Sequence, residues 1–426
     1  MFSFLTVYFL FVFSSITILF SIYFWHIEQI ATLHFVHLFH FNSWSKYFET
    51  IFFFFQNIFF AFVNHLCYNS KNFAKRRLGG DPIATLDDIA QELGVSKATV
   101  SKALNGAKDV SKKMQQAVIE KAVELGYSRM NYSTAAPRIA IFVINMNYLK
   151  PEDFGYDIIV GFRKAAEPAG FVVETVPLTR KIQEEYHYDE YMMRENYVGA
   201  LFLGMCLLDP WIKEFENCKS PTILYDNHIS CNPNVTSVGI DNVESIGMAI
   251  NHLRSLGHSK IGYLSSALEA YIYQQRYKAF IQIMTDHGLT ADDSVMGNHY
   301  HVNACLSQHL PRLLKNGCTA IICSHDMLAH SAMFYCGELG LSVPDDISIV
   351  GHDDIPLCRY TTPPMTTVRQ NRSALGKSAF YALSCQLNDV PLSTHLLHAE
   401  LIIRSSCGPV PKNPKKPNFT NVFLHL

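Results

Sequence analysis

The stretch TLDDIAQELGVSKATVSKALNGAKDVSKKMQQAVIEKAVELGY, residues 85–127, carries the start and stop signals of three short helices. Thr85 and Asp88 form a capping box, in which side-chain oxygens accept hydrogen bonds from the free amides that open a helix. Gly94 ends this helix, because glycine adopts a positive φ at little cost. Ser96 caps a second helix, and a third follows the Asn-Gly turn after it. Two short helices around a tight turn, closed by a third, predict a helix-turn-helix.

The second helix and the segment after it are positively charged. They carry five lysines against one acid, Asp109, whereas acidic residues collect on the first helix. Cations on an element that enters the major groove are what contacts to phosphates and base edges require. A structural three-helix bundle, the alternative interpretation, has no need of them. The five lysines are Lys97, Lys102, Lys108, Lys112 and Lys113.

The pattern TLDDIAQELGVSKATVSKALNG resembles the headpiece of the LacI/GalR family of bacterial transcription regulators. The resemblance implies that the second helix lies in the major groove of DNA. Lys97, Ala98 and Lys102 then fall on the family positions that face bases, while Thr99, Ser101 and Asn105 are placed for phosphates. The full set of expected DNA-binding residues is Thr85, Ser96, Lys97, Ala98, Thr99, Ser101, Lys102 and Asn105.

Composition limits the remaining possibilities. A chain of 426 residues is long enough for two or three domains, and its formal net charge of −2 indicates that any affinity for DNA comes from a local patch. The 11 cysteines include no CxxC pair, and such scattered thiols predict a reducing, cytoplasmic location. No HExxH, zinc-finger, P-loop or GxGxxG spacing occurs. Neither a metal nor a cofactor is therefore expected.

The first 80 residues have an unusual composition. Residues 1–27 contain no acidic or strongly basic residue, and a second apolar run and a cationic stretch follow, which predicts two membrane spans. Phenylalanine dominates, however, and the small residues that let spans pack together are scarce. Translation of AT-rich non-coding DNA also gives this bias. Residues 1–80 are therefore interpreted either as a mis-assigned start, with the natural protein beginning shortly before Pro82, or as a membrane anchor.

A linker is predicted at residues 129–138. In the resembled family this region holds a hinge helix whose leucine wedges into the minor groove. This chain is shorter here and has no leucine, Met130 is the only candidate wedge, and Pro137 would end any helix. The predicted domains are residues 82–128 for the helix-turn-helix, 129–138 for the linker with a shortened hinge, 139–408 for a body of two lobes, and 409–426 for a flexible tail.

The body alternates short apolar runs with helical stretches. IAIFVI at residues 139–144 and FVVETV at 171–176 are typical of buried strands, and a charged helix is predicted around residues 183–194. VGALFL, TILYD, KIGYL, TAIICS and ISIVG continue the series. Such alternation predicts parallel sheets, and its length favours two α/β lobes. The segments GIDNVESIGMAINHLRSLGHSKIGYL and PDDISIVGHDD also resemble the LacI/GalR family and, through it, the type I periplasmic binding-protein fold.

This fold implies a ligand between the lobes, at the carboxyl ends of the strands. Arg276 falls on the family arginine that reaches a ligand hydroxyl or carboxylate, and Asp353 on the acid that accepts from sugar hydroxyls. His325 stands where the family more often has Asn or Asp. Each residue also has a structural alternative, such as an ion pair of Arg276 with Asp353 across the cleft. The expected ligand-binding residues are Arg276, Asp353, Asp226, His325 and Phe154.

The resemblance predicts a DNA-binding regulator, a repressor, that acts as a homodimer. Its affinity for operator DNA would be controlled by a small effector, a sugar, bound between the lobes. The alternative is a membrane-tethered, periplasmic-type sugar receptor, which takes residues 1–80 at face value. No nucleophile elbow, metal triad or catalytic acid pair supports an enzyme, and no catalytic residue is assigned.

Overall fold

The structure, a computed structural model, describes residues 84–127 and 136–419. Both interpretations of residues 1–80 lie outside these ranges, as does most of the linker predicted at residues 129–138. Within the described ranges, no helix combines the length and the apolar character needed to cross a membrane. The interpretations of the first 80 residues and of the shortened hinge therefore stay predictions.

Three short helices open the described part of the chain. Thr85 makes the expected capping box with Asp88, and Gly94 ends the first helix at a φ of 63°. Ser96 and Ser111 accept hydrogen bonds from amides in the first turns of the second and third helices. We call this bundle the headpiece. Its helices are α1 (Leu86–Leu93), α2 (Lys97–Leu104) and α3 (Lys112–Glu124).

The apolar runs of the body form the strands of two sheets. The predicted strands are all present, and the structure adds five that the sequence analysis did not assign, the fifth, seventh, tenth, eleventh and twelfth. In chain order the strands are β1 (Arg138–Val143), β2 (Val172–Pro177), β3 (Tyr197–Leu203), β4 (Thr222–Tyr225), β5 (Val235–Ile240), β6 (Ile261–Ser265), β7 (Met296–Asn298), β8 (Ala320–Cys323), β9 (Ser348–Asp353), β10 (Thr366–Arg369), β11 (Thr394–Leu397) and β12 (Glu400–Ile402).

The two sheets define two lobes. The strand order is β11-β5-β4-β3-β1-β2 in the first sheet and β12-β10-β9-β8-β6-β7 in the second. Neighbouring strands pair in parallel, except that β12 runs antiparallel to β10. We call the lobe around the first sheet the N-lobe and the other the C-lobe. This arrangement confirms the predicted fold of two α/β lobes with parallel sheets.

Helices join and cover the strands, as expected for parallel crossovers. Among the described residues, the largest cluster of buried apolar side chains lies in the C-lobe, between its sheet and the flanking helices. The helices of the body are α4 (Tyr156–Ala166), α5 (Arg180–Glu185), α6 (Tyr188–Glu195), α7 (Asn242–Ser255), α8 (Tyr271–Asp286), α9 (Val302–Lys315), α10 (Asp326–Glu338) and α11 (Arg372–Leu387).

The prediction of one helix around residues 183–194 is wrong. The structure has two helices there, α5 and α6, with extended backbone at Tyr186 and His187 between them. The carbonyl oxygen of Tyr186 accepts a hydrogen bond of 2.8 Å from Nε1 of Trp211. Tyr188 then begins α6 with a fully buried side chain. Packing of the aromatic core therefore overrides the local helical pattern.

Helices α4 and α11 pack at very short distance on one face of the N-lobe sheet. A Cβ atom on Gly376 would lie 1.9 Å from the carbonyl oxygen of Ile158, and one on Gly161 would lie 2.2 Å from that of Ser373. Only glycine fits at either position, because a side chain would collide with backbone. This contact fixes α11 to the N-lobe, although α11 follows a strand of the C-lobe.

The chain crosses between the lobes three times. It passes from β5 to α7, from β10 to α11, and from β11 to β12. Asp241 caps α7 at the first crossing, accepting hydrogen bonds from the amides of Val243 and Glu244. Gln370 and Asn371 form the second crossing, and Asn371 caps α11. Neither lobe is therefore a continuous segment of sequence.

The segment after Gly408 follows the surface of the C-lobe. The amide of Val410 donates to the carbonyl oxygen of Leu256, and that of Asn418 donates to Leu339, each at 2.9 Å. The Nζ of Lys315 lies 4.8 Å from the ring centre of Phe419. Residues up to Phe419 thus make defined contacts, and the flexibility predicted for residues 409–426 stays a prediction.

Candidate functional site

The exposed face of the headpiece includes most of the predicted DNA-binding residues. Lys97, Ala98, Lys102 and Asn105 are exposed on α2 and at its end. Thr99 and Ser101 are half-buried on the same helix. Two of the predicted residues, Thr85 and Ser96, also have a structural task, because their side chains cap α1 and α2.

Two lysines of α2 are paired with aspartates. The Nζ atom of Lys97 lies 2.6 Å from Oδ2 of Asp87, and that of Lys102 lies 2.5 Å from Oδ2 of Asp109. The hydrogen bond from Lys102 lowers the pKa of Asp109. All four side chains are more than half exposed. Exposed pairs contribute little to stability, so the lysines can exchange these partners for DNA phosphates at small cost.

The headpiece rests on the N-lobe through α3 and α6. Nε2 of Gln116 donates to Oε2 of Glu190, and Nη2 of Arg194 donates to Oε1 of Gln116, each at 2.9 Å. Met193 packs against the apolar core of the headpiece. A cavity of about 100 Å³ lies beside this contact and is lined by Val123 and other residues of both parts. The orientation of the headpiece is therefore tied to α6.

A cleft of about 570 Å³ opens between the lobes, at the carboxyl ends of the strands of both sheets. Residues after β1, β3 and β4 line it from the N-lobe, and residues after β8, β9 and β10 line it with α8 of the C-lobe. This is the position that parallel α/β sheets give to ligands. The structure brings together at this cleft all five predicted ligand-binding residues: Arg276, Asp353, Asp226, His325 and Phe154.

Arg276 is buried at the base of the cleft, with 2% of its surface exposed. Its Nη2 lies 3.6 Å from Oδ1 of Asp353, its Nε lies 3.4 Å from Oδ1 of Asn242, and its Nη1 donates to the carbonyl oxygen of Ser324. Arg276 and Asp353 both belong to the C-lobe. The expected ion pair of Arg276 with Asp353 is therefore present, but it lies within one lobe and not across the cleft.

Asp353 ends β9 in an unusual backbone conformation, with a φ of 114°. Its Oδ1 accepts a hydrogen bond of 2.7 Å from Nε2 of Gln370 and lies 3.1 Å from Nδ1 of His352. Burial opposes ionisation, but the hydrogen bond from His352 and the charge of Arg276 lower the pKa of Asp353. The side chain is held as a carboxylate with 15% of its surface exposed to the cleft.

Asp226 follows β4 on the opposite wall, with a φ of 52°. Its Oδ1 is buried and accepts no hydrogen bond from any residue in the described ranges. Burial raises the pKa of Asp226 to about 6, although the charge of Arg276 acts in the other direction. The structure thus has a poorly satisfied acceptor on the N-lobe side of the cleft.

His325 lines the cleft and caps α10. Its Nδ1 accepts a hydrogen bond from the amide of Leu328 at 3.2 Å, so Nε2 carries the proton and donates to Oγ of Ser266 at 2.7 Å. Burial lowers the pKa of His325, which keeps the ring neutral near pH 7. Both ring nitrogens therefore have partners within the protein, and the side chain lines the cleft.

Aromatic side chains form part of the walls. Phe154 lines the cleft, and the guanidinium carbon of Arg372 lies 5.4 Å from its ring centre. Tyr271 and Tyr273 also line the cleft, whereas Tyr277 packs against the core of the C-lobe. Flat apolar surfaces of this kind can stack on the face of a sugar ring or of a base.

Sequence reasoning missed two cleft residues, Asp326 and Gln370. Asp326 is buried, accepts hydrogen bonds from Oγ1 of Thr367 at 2.6 Å and from the amide of Ile355 at 2.9 Å, and has a pKa that burial raises to about 7. Gln370 accepts a hydrogen bond of 3.0 Å from Oη of Tyr225 and thereby joins the lobes. Their positions just after apolar strands were the only signal in the sequence.

No group of three His, Cys, Asp or Glu side chains in the described ranges is arranged to hold a metal ion. A basic helix-turn-helix and a two-lobed body with a polar cleft define a class of protein, the DNA-binding regulator with a ligand-binding domain. The model for bacterial regulatory proteins of the lacI family matches residues 85–129, and that for a periplasmic binding protein-like domain matches residues 250–407.

A curated relative covers nearly the whole of this arrangement. The HTH-type transcriptional repressor CytR of Escherichia coli (strain K12) is 30% identical over 336 residues, which are 77% of this chain and 97% of the relative. The chain therefore belongs to the LacI family of bacterial transcription regulators. This membership confirms the resemblance seen in the sequence and the prediction that the chain is not an enzyme.

Solved structures agree on the fold. The lac repressor dimer bound to operator and the anti-inducer ONPF has a TM-score of 0.52 at 22% identity, covering 77% of this chain and 100% of that one. The transcriptional regulator CelR in complex with cellobiose has a TM-score of 0.53 at 21% identity, covering 76% and 99%. At these identities the likeness establishes the architecture of headpiece and lobes.

Proposed function

We propose that this protein is a cytoplasmic repressor whose affinity for operator DNA is set by a small sugar in the interlobe cleft. The observation that carries the proposal is the cleft of about 570 Å³, where the arginine, carboxylates and aromatic rings expected for a polyhydroxylated ligand converge. The cellobiose bound to the related CelR supports a sugar. The receptor alternative depends on residues 1–80 and does not account for a basic headpiece.

The predicted DNA contacts follow from the exposed face of α2. Lys97 and Lys102 would reach guanine acceptors, and Ala98 would contact a thymine methyl group. Thr99, Ser101 and Asn105 would contact phosphates. Thr85 and Ser96 combine capping with phosphate contact, since a helix start attracts anions.

A homodimer is part of the proposal. One headpiece buries too little surface for tight and specific binding, so two headpieces would read the two halves of a near-palindrome. The lac repressor, which has the same fold, is a dimer on its operator. An effector that binds one arrangement of the lobes more tightly would change the spacing of the headpieces and hence the affinity for DNA.

Substitution of Lys102 tests the placement of α2. Lys102→Ala should weaken binding to a duplex enriched from a random pool by about 1–3 kcal/mol, because it removes a phosphate or base contact. Fluorescence anisotropy at several salt concentrations measures both the affinity and the salt dependence. Lys278→Ala, at an exposed position of α8 on the C-lobe, is the matched control and should bind like the wild type.

Two results would contradict the proposal. An unchanged affinity of Lys102→Ala would show that α2 does not enter the groove. Equal affinity of the wild type for every duplex in the pool would show that the protein does not read sequence.

A further inference from the structure

The cleft contains more carboxylates than cations. Arg276 is the only lysine or arginine among the described residues that line it. Five acidic side chains line the same space, and Glu152 is the one that lies exposed at the rim. The other four acidic residues of the lining are Asp153, Asp226, Asp326 and Asp353.

The positive charge of Arg276 is already balanced by a carboxylate of the protein, that of Asp353. Its guanidinium lies against Asp353, and two further contacts, to Ser324 and Asn242, hold it in place. A ligand carboxylate or phosphate would have to compete with Asp353 for this cation. Since Asp353 is fixed by hydrogen bonds from Gln370 and His352, it cannot easily move away.

Most of the acidic groups also have partners within the protein. Asp153 accepts hydrogen bonds of 2.9 Å from the amides of Leu149 and Lys150. Both oxygens of Asp326 accept hydrogen bonds, as described above. Asp226 differs, because its Oδ1 is a buried acceptor without a donor in the described ranges. The buried Oδ1 itself lies beside Gly239, so a ligand would donate its hydrogen bond to the Asp226 carboxylate from the side that lines the cleft.

We propose that the cleft selects its effector by charge: it accepts an uncharged, hydroxyl-bearing ligand that donates a hydrogen bond to Asp226, and it excludes phosphorylated and carboxylated derivatives. The proposal rests on the proposed function, since it concerns the effector of the same cleft. Its physical basis is that a bound anion would meet the carboxylates of Asp226 and Asp353, while Arg276 already lies against Asp353.

The first test compares neutral sugars with their anionic derivatives on the full chain by isothermal titration calorimetry. The probes are D-glucose with glucose 6-phosphate and glucuronate, and D-ribose with ribose 5-phosphate. For any sugar that binds, its anionic derivative should bind at least tenfold more weakly. An anionic derivative that binds as tightly as its parent, or more tightly, overturns the proposal.

The second test needs no cognate sugar and uses inorganic phosphate alone. Asp226→Asn with Asp353→Asn removes two carboxylates and leaves Arg276 without its anionic partner. Phosphate stabilises most proteins by exclusion from their surface, so it should raise the melting temperature of this double variant by more than it raises that of the wild type. Because phosphate can also bind headpiece lysines, both proteins carry Lys97→Ala and Lys102→Ala.

Each result of the second test decides the question. An equal or larger rise in melting temperature for the wild type shows that the carboxylates do not exclude anions and overturns the proposal. If the double variant fails to fold, Asp226→Asn alone should still show a rise in melting temperature with phosphate that exceeds the rise of the wild type. If none of the sugars binds in the first test, this result would contradict the sugar effector of the proposed function. The phosphate experiment would still test whether the cleft excludes anions by charge.

Discussion

His325 shows how one side chain can serve structure and site together. The resembled family more often has Asn or Asp here, both of which are good helix caps. The imidazole caps the helix instead, because Nδ1 accepts a hydrogen bond from the amide of Leu328, while Nε2 donates a hydrogen bond to Oγ of Ser266. The neutral ring therefore brings an aromatic surface to the cleft without the charge of an aspartate. This lowers the number of carboxylates that a ligand meets.

Asp226 makes stability depend on pH. Its pKa is about 6 in the folded protein and 3.8 in its ordinary state, so the folded protein holds this proton more tightly than the unfolded chain. Stability should therefore fall as the pH rises from about 4 to about 6. Asp226→Asn removes this loss of stability. Its free energy of unfolding should exceed that of the wild type by up to about 3 kcal/mol at pH 7 and should not exceed it below pH 4.

Urea unfolding at pH 4, 5, 6 and 7 measures this difference. Asp345→Asn, at an exposed position before β9, is the matched control and should show no such trend. A constant difference between Asp226→Asn and wild type at all four pH values would contradict the prediction.

At the scale of elements, the contact of α4 with α11 joins the second crossing to the N-lobe. Gly376→Ala would place a Cβ atom 1.9 Å from the carbonyl oxygen of Ile158 and 2.7 Å from the amide nitrogen of Phe162. Both are backbone atoms, so the helices must move apart. We expect a loss of about 3 kcal/mol or more in the free energy of unfolding, measured by urea denaturation.

Another helix glycine provides the control for this substitution. Gly337 lies near the end of α10, and a Cβ atom there would meet nothing within 4 Å. Gly337→Ala should therefore be neutral or stabilise by up to about 1 kcal/mol, since alanine is the better helix former. Equal effects of the two substitutions would show that close packing of α4 and α11 is unimportant.

Much of this architecture could be predicted from local signals. The caps at Thr85 and Ser96 and the apolar runs lie within a few residues of the elements they define, and the carboxyl ends of parallel strands must meet at one edge. The role of Gln370 could not be predicted, because it depends on contacts with Tyr225 and Asp353, which are separated from it by 145 and 17 positions in the sequence. The break at Tyr186 depends in the same way on Trp211.

At the scale of the whole molecule, one buried side chain joins the lobes beside the cleft. Gln370, with 3% of its surface exposed, accepts a hydrogen bond from Tyr225 of the N-lobe and donates one to Asp353 of the C-lobe. Arg372, two residues on, donates to the carbonyl oxygen of Asp353 at 3.1 Å and lies 3.5 Å from Asp157 on α4. A ligand that touches Asp353 would therefore also act on the N-lobe and on the headpiece that rests on it.

Tyr225→Phe tests this link. The change removes only the hydroxyl group, so Gln370 keeps its hydrogen bond to Asp353 and loses the one to the N-lobe. We expect the effector-induced change in DNA affinity to shrink by about 1 kcal/mol or more, since allosteric couplings are typically 1–3 kcal/mol. Anisotropy titrations with and without a bound sugar measure it. Tyr277→Phe, away from the cleft, should keep the full response, and an unchanged response of Tyr225→Phe would contradict the link.

The exchange of strands between the lobes also has a consequence for biosynthesis. The edge strand β11 of one sheet and the edge strand β12 of the other follow all the other described strands in the chain. Neither lobe can complete its sheet until residues 394–402 have been synthesised, so both lobes depend on the same few residues. A nascent chain stopped before Thr394 should expose two unfinished sheet edges at once, and such edges recruit chaperones or other strands.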